Sequence, residues 1–247
     1  MASHDFSAPR LFVEAPLHRG ARVGLDRQGA NYLLNVLRLR SGAAVLVFNG
    51  RDGEWRAALR GEGRKGADLE IAEQTRPQTA PPDLLYLFAP LKHARLDYMV
   101  QKAVEMGAGA LKPVFTARTQ ASRVNLERMR ANVVEAAEQC GILALPAVLP
   151  DEPLAAALAA LEADRLVVFC DEEAPVADQV AALAAARDRA AKLAVVVGPE
   201  GGFTEEERAL VGRTTCLRIS LGPRVLRADT AAVAALALVQ AVLGDWR

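Results

Sequence analysis

The rhythm of apolar and polar positions changes once along the chain. Up to about residue 74 the apolar stretches are short: RLFVEA, ARVGLD, AAVLVFNG, EWRAALRG and ADLEIAE, with glycines and charged turns between them. Short, evenly spaced runs of this kind predict strands, and several in succession predict a small β-barrel. NYLLNVLRLR is the one stretch there that predicts a helix. QTRPQTAPPD follows, with three prolines and few apolar residues, and reads as a linker over residues 75–82. Beyond it, β-type runs alternate with helical ones. LLYLFAPL, ALKPVFT, RLVVFCD, KLAVVVG and CLRISL predict strands. RLDYMVQKAVEMG, NLERMRANVVEAAEQCG, VADQVAALAAARD, a short segment from Thr204 and TAAVAALALVQAVLG predict helices. Asn125 is the expected cap of the second helix and Gly141 its stop. Strands alternating with helices predict an α/β domain with a parallel sheet covered on both faces. The expected division is residues 1–74, a β-barrel, and residues 83–247, an α/β domain.

Composition narrows the partners little. The 247 residues carry 30 Lys/Arg and 30 Asp/Glu, and 51% are hydrophobic. The balance is uneven along the chain, however. Residues 90–130 hold eight basic and three acidic residues, a net +5, whereas residues 131–247 hold ten basic and seventeen acidic. A local basic stretch in a neutral chain is either a polyanion contact or a solvated helical face. Cys140, Cys170 and Cys216 are far apart, with no paired spacing, which fits a reducing compartment and argues against disulfides or a zinc site. His4, His18 and His93 offer no metal site. The N-terminus MASHDFSAPRLFVE lacks the apolar run of a signal peptide, and no segment is long and apolar enough for a membrane span, so a soluble cytoplasmic protein is expected.

Candidate chemistry gathers at two strand ends. VVVGPEGGFTEEE runs from a buried-type strand into three glycines around a proline and a carboxylate, then into a helix. Thr204 and Glu207 form a T-x-x-E capping box. A glycine loop ahead of a helix often holds phosphate, but Glu205, Glu206 and Glu207 oppose that, and the pattern lacks both the P-loop and the G-x-G-x-x-G signatures. The loop is either a tight turn in its own right or a close approach of backbone to a cationic or neutral ligand, such as a sulfonium nucleoside. LGPRVLRADTAA again places Gly-Pro after a strand, followed by Arg224, Arg227 and Asp229; the aspartate is either a helix cap or a site carboxylate. FCDEE, from Phe169, offers a further wall. The last helix is apolar on all sides apart from Gln240, which predicts burial all round, either within the chain or partly against a second copy.

GPEGGFTEEE and LGPRVLRADTA together resemble the paired signatures of the SPOUT methyltransferases, specifically the RsmE-type 16S ribosomal RNA uridine-N3 methyltransferases. LKHARLDYMVQKAVEMGAGALKPVFTART, EAAEQCG and NVLRLRSGAAVLVFNG resemble the same family, so the likeness covers nearly the whole chain. The resemblance implies a PUA-like RNA-binding barrel followed by an α/β domain tied in a trefoil knot, a feature that ordinary folding rules disfavour. It implies S-adenosylmethionine as cofactor, 16S rRNA or the 30S subunit as partner, a homodimer, and no metal. On the family motifs, Gly198, Pro199, Glu200, Gly201, Gly202, Leu221, Gly222, Leu226 and Thr230 are expected at the cofactor, with Phe169 beside them. Arg227, Arg224 and Asp229 are the expected catalytic group, and Arg38, Lys92, Arg95, Lys102 and Arg118 the expected RNA contacts. The chain departs from the family at Tyr32 and Asn35, where a histidine and an arginine are common, and at RADT, where RTET is common.

Methylation at uridine N3 requires loss of the imide proton, and the resulting anion spreads onto two carbonyl oxygens. Arg227 is expected to stabilise that charge, Arg224 to hold a backbone phosphate or the cofactor carboxylate, and Asp229 to accept the proton or orient Arg227. Because N3 is engaged in base pairing, the target must be unpaired or extruded. A ribose 2′-O-methyltransferase on the same scaffold and a non-enzymatic RNA-binding assembly factor are the alternatives.

Overall fold

A computed structural model of the chain describes residues 8–61, 67–92, 94–175 and 178–246. The N-terminal stretch before residue 8, His93, and the expected helix start at Val176 and Ala177 lie outside the described residues. The chain divides into two compact units, residues 1–80 with 137–145, and residues 81–136 with 146–247.

The first unit is built on a five-stranded sheet in the order β1-β3-β4-β5-β2. Its strands are β1 (Arg10–Phe12), β2 (Arg22–Gly24), β3 (Ala44–Phe48), β4 (Glu54–Arg60) and β5 (Asp68–Arg76). β1 runs parallel to β3 and the other pairs are antiparallel, giving a curled half-barrel with β1 and β2 at its edges. β5 reaches Arg76, inside the stretch expected as linker. Val45 and Val47 of β3 face a core shared with Leu11, Val23, Leu33, Leu59, Leu69 and Ile71. Phe48 instead packs with Ala137 and Leu143. Residues 137–145 therefore cover the second face of β3, which explains why Val45, Leu46, Val47 and Phe48 are all buried without alternation. Polar contacts fix the same join. Glu138 Oε1 accepts the Phe12 backbone N–H at 2.8 Å, and Arg76 Nη1 donates to the Gly141 carbonyl at 2.8 Å. The buried Arg10–Glu54 pair closes at 2.7 Å.

The segment expected as one helix at residues 31–40 is not a regular helix. A short α-helix, α1 (Arg27–Asn31), passes into a π turn over Tyr32–Val36, in which the Leu37 N–H reaches back to the Tyr32 carbonyl. Arg38 then takes a left-handed φ of 55°. Asn35 bonds back to Asn31 at 2.8 Å, and Tyr32 packs on the first core.

The second unit is a parallel sheet in the order β12-β10-β11-β6-β7-β8, with β9 also on β7. Its strands are β6 (Leu84–Phe88), β7 (Ala110–Phe115), β8 (Ala147–Val148), β9 (Glu152–Pro153), β10 (Leu166–Cys170), β11 (Leu193–Val197) and β12 (Cys216–Ile219). Its helices are α2 (Ala94–Glu105), α3 (Leu126–Cys140), whose end belongs to the first unit, α4 (Leu154–Ala159), α5 (Gln179–Ala185), α6 (Glu205–Val211) and α7 (Ala228–Val242). Asn125 caps α3 through the Arg128 N–H at 3.0 Å. β8, β9 and α4 are absent from the sequence expectation.

Alternation in the strands sorts the helices between two faces. Leu87, Val167, Phe169, Ala194 and Val196 pack with Leu154, Ala157 and Leu158 of α4 and Val211 of α6. On the opposite face, α7 lies along β11 and packs on α2 and α5, and Tyr86 donates to Met99 Sδ of α2 at 3.5 Å. Ala228, Ala231, Ala232, Ala235, Leu236, Val239 and Val242 of α7 are buried within the chain. Gln240, its buried polar residue, is satisfied: Nε2 donates to the Met106 carbonyl at 2.9 Å, and Oε1 accepts from the Asp245 N–H at 3.2 Å. No helix among the described residues is long and apolar enough to cross a membrane.

Candidate functional site at the carboxyl ends of four strands

Parallel pairing brings the loops together. Cys170 aligns with Ile219 and with Val197, and Val197 with Phe88, so β12, β10, β11 and β6 end level along one edge. In an α/β sheet the ligand crevice lies beyond such carboxyl ends. Both Gly-Pro loops leave from this edge, as does the FCDEE stretch.

The glycine loop after β11 is fastened from several sides. The expected capping box is present: Thr204 Oγ accepts the Glu207 N–H at 3.3 Å, and Glu207 Oε2 accepts the Thr204 N–H at 2.9 Å. Glu207 Oε1 also accepts the Ala117 N–H at 2.7 Å, and Arg118 Nη1 donates to the Gly201 carbonyl at 2.7 Å. The loop after β7 thus holds the loop after β11. Gly198 is required because a Cβ there would sit 2.5 Å from the Phe203 ring, and Gly202 because its φ is 69°. Phe169 is buried with its ring edge-on to Phe203, centroids 4.8 Å apart, so it supports the loop from the core. Asp171, fully buried, accepts from Arg208 of α6 at 3.1 Å and from Arg218 of β12 at 2.7 Å. An acid directly after an all-apolar strand was the one sequence signal for this anchor.

Asp229 lies in the first turn of α7, whose cap position is Arg227, so of the two readings of this residue, helix cap or site carboxylate, it is not the cap. Its carboxylate accepts from Arg95 Nε at 2.9 Å, and the same guanidinium reaches Glu200 at 2.5 Å. Arg95 holds the Asp229 carboxyl below the usual carboxylate range. An Asp in that state is a weak base near neutral pH, and its ion-pair partner is Arg95 rather than Arg227. Arg95, expected as an RNA contact, is thus part of this site.

Arg224 and Arg227 are exposed, and neither side chain has a hydrogen bond or ion pair among the described residues; Val225 between them is 88% exposed. Their freedom contrasts with the stretch 90–130. There Lys102 pairs with Glu105, Lys112 with Glu152, Arg128 with Asp97 and Arg130 with Glu127, besides Arg95. The acids within the stretch are already counted in the +5; of the five excess cations, Arg95 and Lys112 are paired by acids outside it, while Lys92, Arg118 and Arg123 are exposed without an ion pair among the described residues. Leu221 and Leu226 are half-buried, and Gly222 and Thr230 exposed. Burial pushes the Cys170 thiol up to about 12 and Cys216 up to about 11, so neither is a thiolate nucleophile at neutral pH. No group of three metal-binding side chains occurs among the described residues.

Comparison with known proteins places this arrangement. Residues 78–240 match the model of an RNA methyltransferase domain, and residues 25–72 that of an RNA methyltransferase PUA domain. The chain is 32% identical to Ribosomal RNA small subunit methyltransferase E of Synechocystis, over 98% of this chain and 78% of that one. It is 27% identical to the protein of that name from Rickettsia conorii, over 94% of each. The crystal structure of a Ribosomal RNA small subunit methyltransferase E from Neisseria gonorrhoeae bound to S-adenosyl methionine superposes with a TM-score of 0.84 at 29% identity, covering 97% of this chain and all of that one. A match over most of the length and a shared fold, joined to the paired Gly-Pro loops, lead to one assignment: the chain belongs to the ribosomal RNA small subunit methyltransferase E family of RNA methyltransferases.

Proposed function

We propose that this protein transfers a methyl group from S-adenosylmethionine to N3 of a uridine in 16S rRNA, on the 30S subunit and in the cytoplasm. The residues present fit that cofactor. Glu172, Glu200 and Glu205 stand exposed around the glycine loop, with Glu200 shared with Arg95 and the other two with Arg208, so the loop presents no free cation to a phosphate. At Gly222, φ 103°, an added Cβ would meet nothing within 4 Å, so backbone there is open to a ligand. Arg95 Nη2, buried and without an acceptor among the described residues, leaves one donor of this site unspent. Gly198 to Gly202, with Leu221, Gly222, Leu226 and Thr230, would hold the cofactor, and the trefoil knot expected of the family belongs to the same reading. Bound there, S-adenosylmethionine supplies an electrophilic methyl whose bond to sulfur breaks as the bond to N3 forms.

The observation that carries the reading is the loop 221–227, which leaves the same sheet edge as the glycine loop and bears two exposed arginines whose side chains have no partner among the described residues. Arg227 faces the uracil carbonyl oxygens and stabilises the charge they gain as the N3 proton leaves. Asp229 is engaged by Arg95, so the proton passes to water. Arg224 takes a phosphate of the flanking RNA. Arg38, Lys92 and Arg118, all exposed, add to the RNA contact. Mass analysis of nucleosides from small-subunit rRNA treated with the protein and S-adenosylmethionine tests the reading, since a base methyl and a ribose methyl differ in their fragments.

A homodimer completes the account. Val233, Ala234, Ala237 and Leu238 of α7 are only half-buried, and Ala241 is exposed, so one apolar stripe of the helix lacks full cover within the chain. A second copy meeting it across a two-fold axis provides that cover. Sedimentation at micromolar concentration should show a dimer; a fully active monomer would rule it out.

A further inference from the structure

Arg95 joins two loops that are distant in the chain. It is the second residue of α2; Nε donates to Asp229, 134 residues away, and Nη1 to Glu200, 105 residues away. Glu200 belongs to the glycine loop after β11. Asp229 stands two residues beyond Arg227, in the first turn of α7. A guanidinium offers donors in a rigid planar fork, so two acceptors bound to it are fixed in distance and angle. Without it, two carboxylates on separate loops would face one another uncompensated, and like charges drive such loops apart. An arginine reserved for RNA phosphate would be unpaired in the free protein, as the side chains of Arg224 and Arg227 are among the described residues. Arg95 is already matched by two carboxylates, and its remaining terminal nitrogen, Nη2, is buried.

We propose that Arg95 is a positioning residue for methyl transfer: it locks the glycine loop to the start of α7 and so sets the distance between the methyl donor's loop and Arg227. The proposal rests on the reading of the chain as an S-adenosylmethionine-dependent methyltransferase, and its test separates the two. S-adenosylhomocysteine affinity is measured by calorimetry without RNA, together with single-turnover methyl transfer to 30S subunits at saturating cofactor and the salt dependence of rRNA binding. Arg95→Ala should weaken S-adenosylhomocysteine by about tenfold or more and slow single turnover by about tenfold to a hundredfold, the scale for a misplaced reacting group. The salt slope of RNA binding should stay as in wild type. Arg95→Lys should recover part of both losses, because an ammonium restores charge without the fork. Adding Glu200→Gln to Arg95→Ala should also recover part of the affinity by removing one of the two repelling carboxylates. Wild-type cofactor affinity and rate in Arg95→Ala, with an RNA salt slope reduced by about one, would make Arg95 a phosphate contact and overturn the proposal. Should Arg95→Ala fail to fold, a folded Arg95→Lys with full affinity and rate overturns it equally. A wild-type protein that does not bind S-adenosylhomocysteine refutes the underlying reading, whatever Arg95 does.

Discussion

Replacing Arg227 with alanine should lower single-turnover methyl transfer by about a hundredfold or more, the scale for losing one charge-stabilising donor at a reacting centre. Arg227 sits at the cap position of α7 with extended backbone, φ −65° and ψ 151°, so its stem is fixed by the helix that begins beside it. Its guanidinium has no partner among the described residues, and the carboxylate two positions on is occupied by Arg95. The side chain is therefore free to meet the uracil oxygens as they gain charge. Cofactor affinity should change little, because that interaction strengthens mainly in the transition state. Arg227→Lys should recover only part of the rate, lacking the planar fork of donors. Near-normal single turnover in Arg227→Ala would pass the role to Arg224 or to positioning alone. A collapse of cofactor binding would make Arg227 a cofactor residue instead.

Gly201→Val should abolish S-adenosylmethionine binding and leave the protein folded. Gly201 is exposed at the turn of the loop after β11. A Cβ there would lie 3.2 Å from Arg118 Cβ, and the branched side chain would also fill the space through which backbone approaches a ligand. The Arg118 hydrogen bond to the Gly201 carbonyl would be strained by the same crowding. The core beneath the loop, Phe203 on Phe169, is untouched, so thermal unfolding should stay close to wild type. Calorimetry on the folded variant gives the answer, and wild-type affinity would remove this loop from the cofactor site.

The features legible in the sequence were the local ones. The Thr204–Glu207 box, the Asn125 cap and the alternation of strand with helix each depend on residues within a few positions of one another. The Gly-Pro loops were legible because a strand, a glycine run and a helix start follow in order. The Arg95 bridge was not, since it depends on which strands are neighbours: β6, β11 and the start of α7 meet only through the sheet order. Charge counting along residues 90–130 read as a basic face because the balancing acids Glu152, Glu200 and Asp229 are far away in sequence. The π turn at Tyr32–Val36 has the same apolar spacing as a short α-helix, and only its hydrogen bonds distinguish the two. Residues 137–145 join the first unit because Phe48 needs cover on its outer face, whereas continuous helical periodicity through Cys140 gives no sign of a boundary.

The position of the new methyl group defines the reaction. Small-subunit rRNA from cells lacking this protein, assembled in 30S subunits, is incubated with the protein and S-adenosylmethionine, then digested to nucleosides and analysed by mass spectrometry. The account predicts 3-methyluridine, present with wild-type protein and strongly reduced with Arg227→Ala. A 2′-O-methylated nucleoside, a methyl group on another base, or no transfer at all would contradict it.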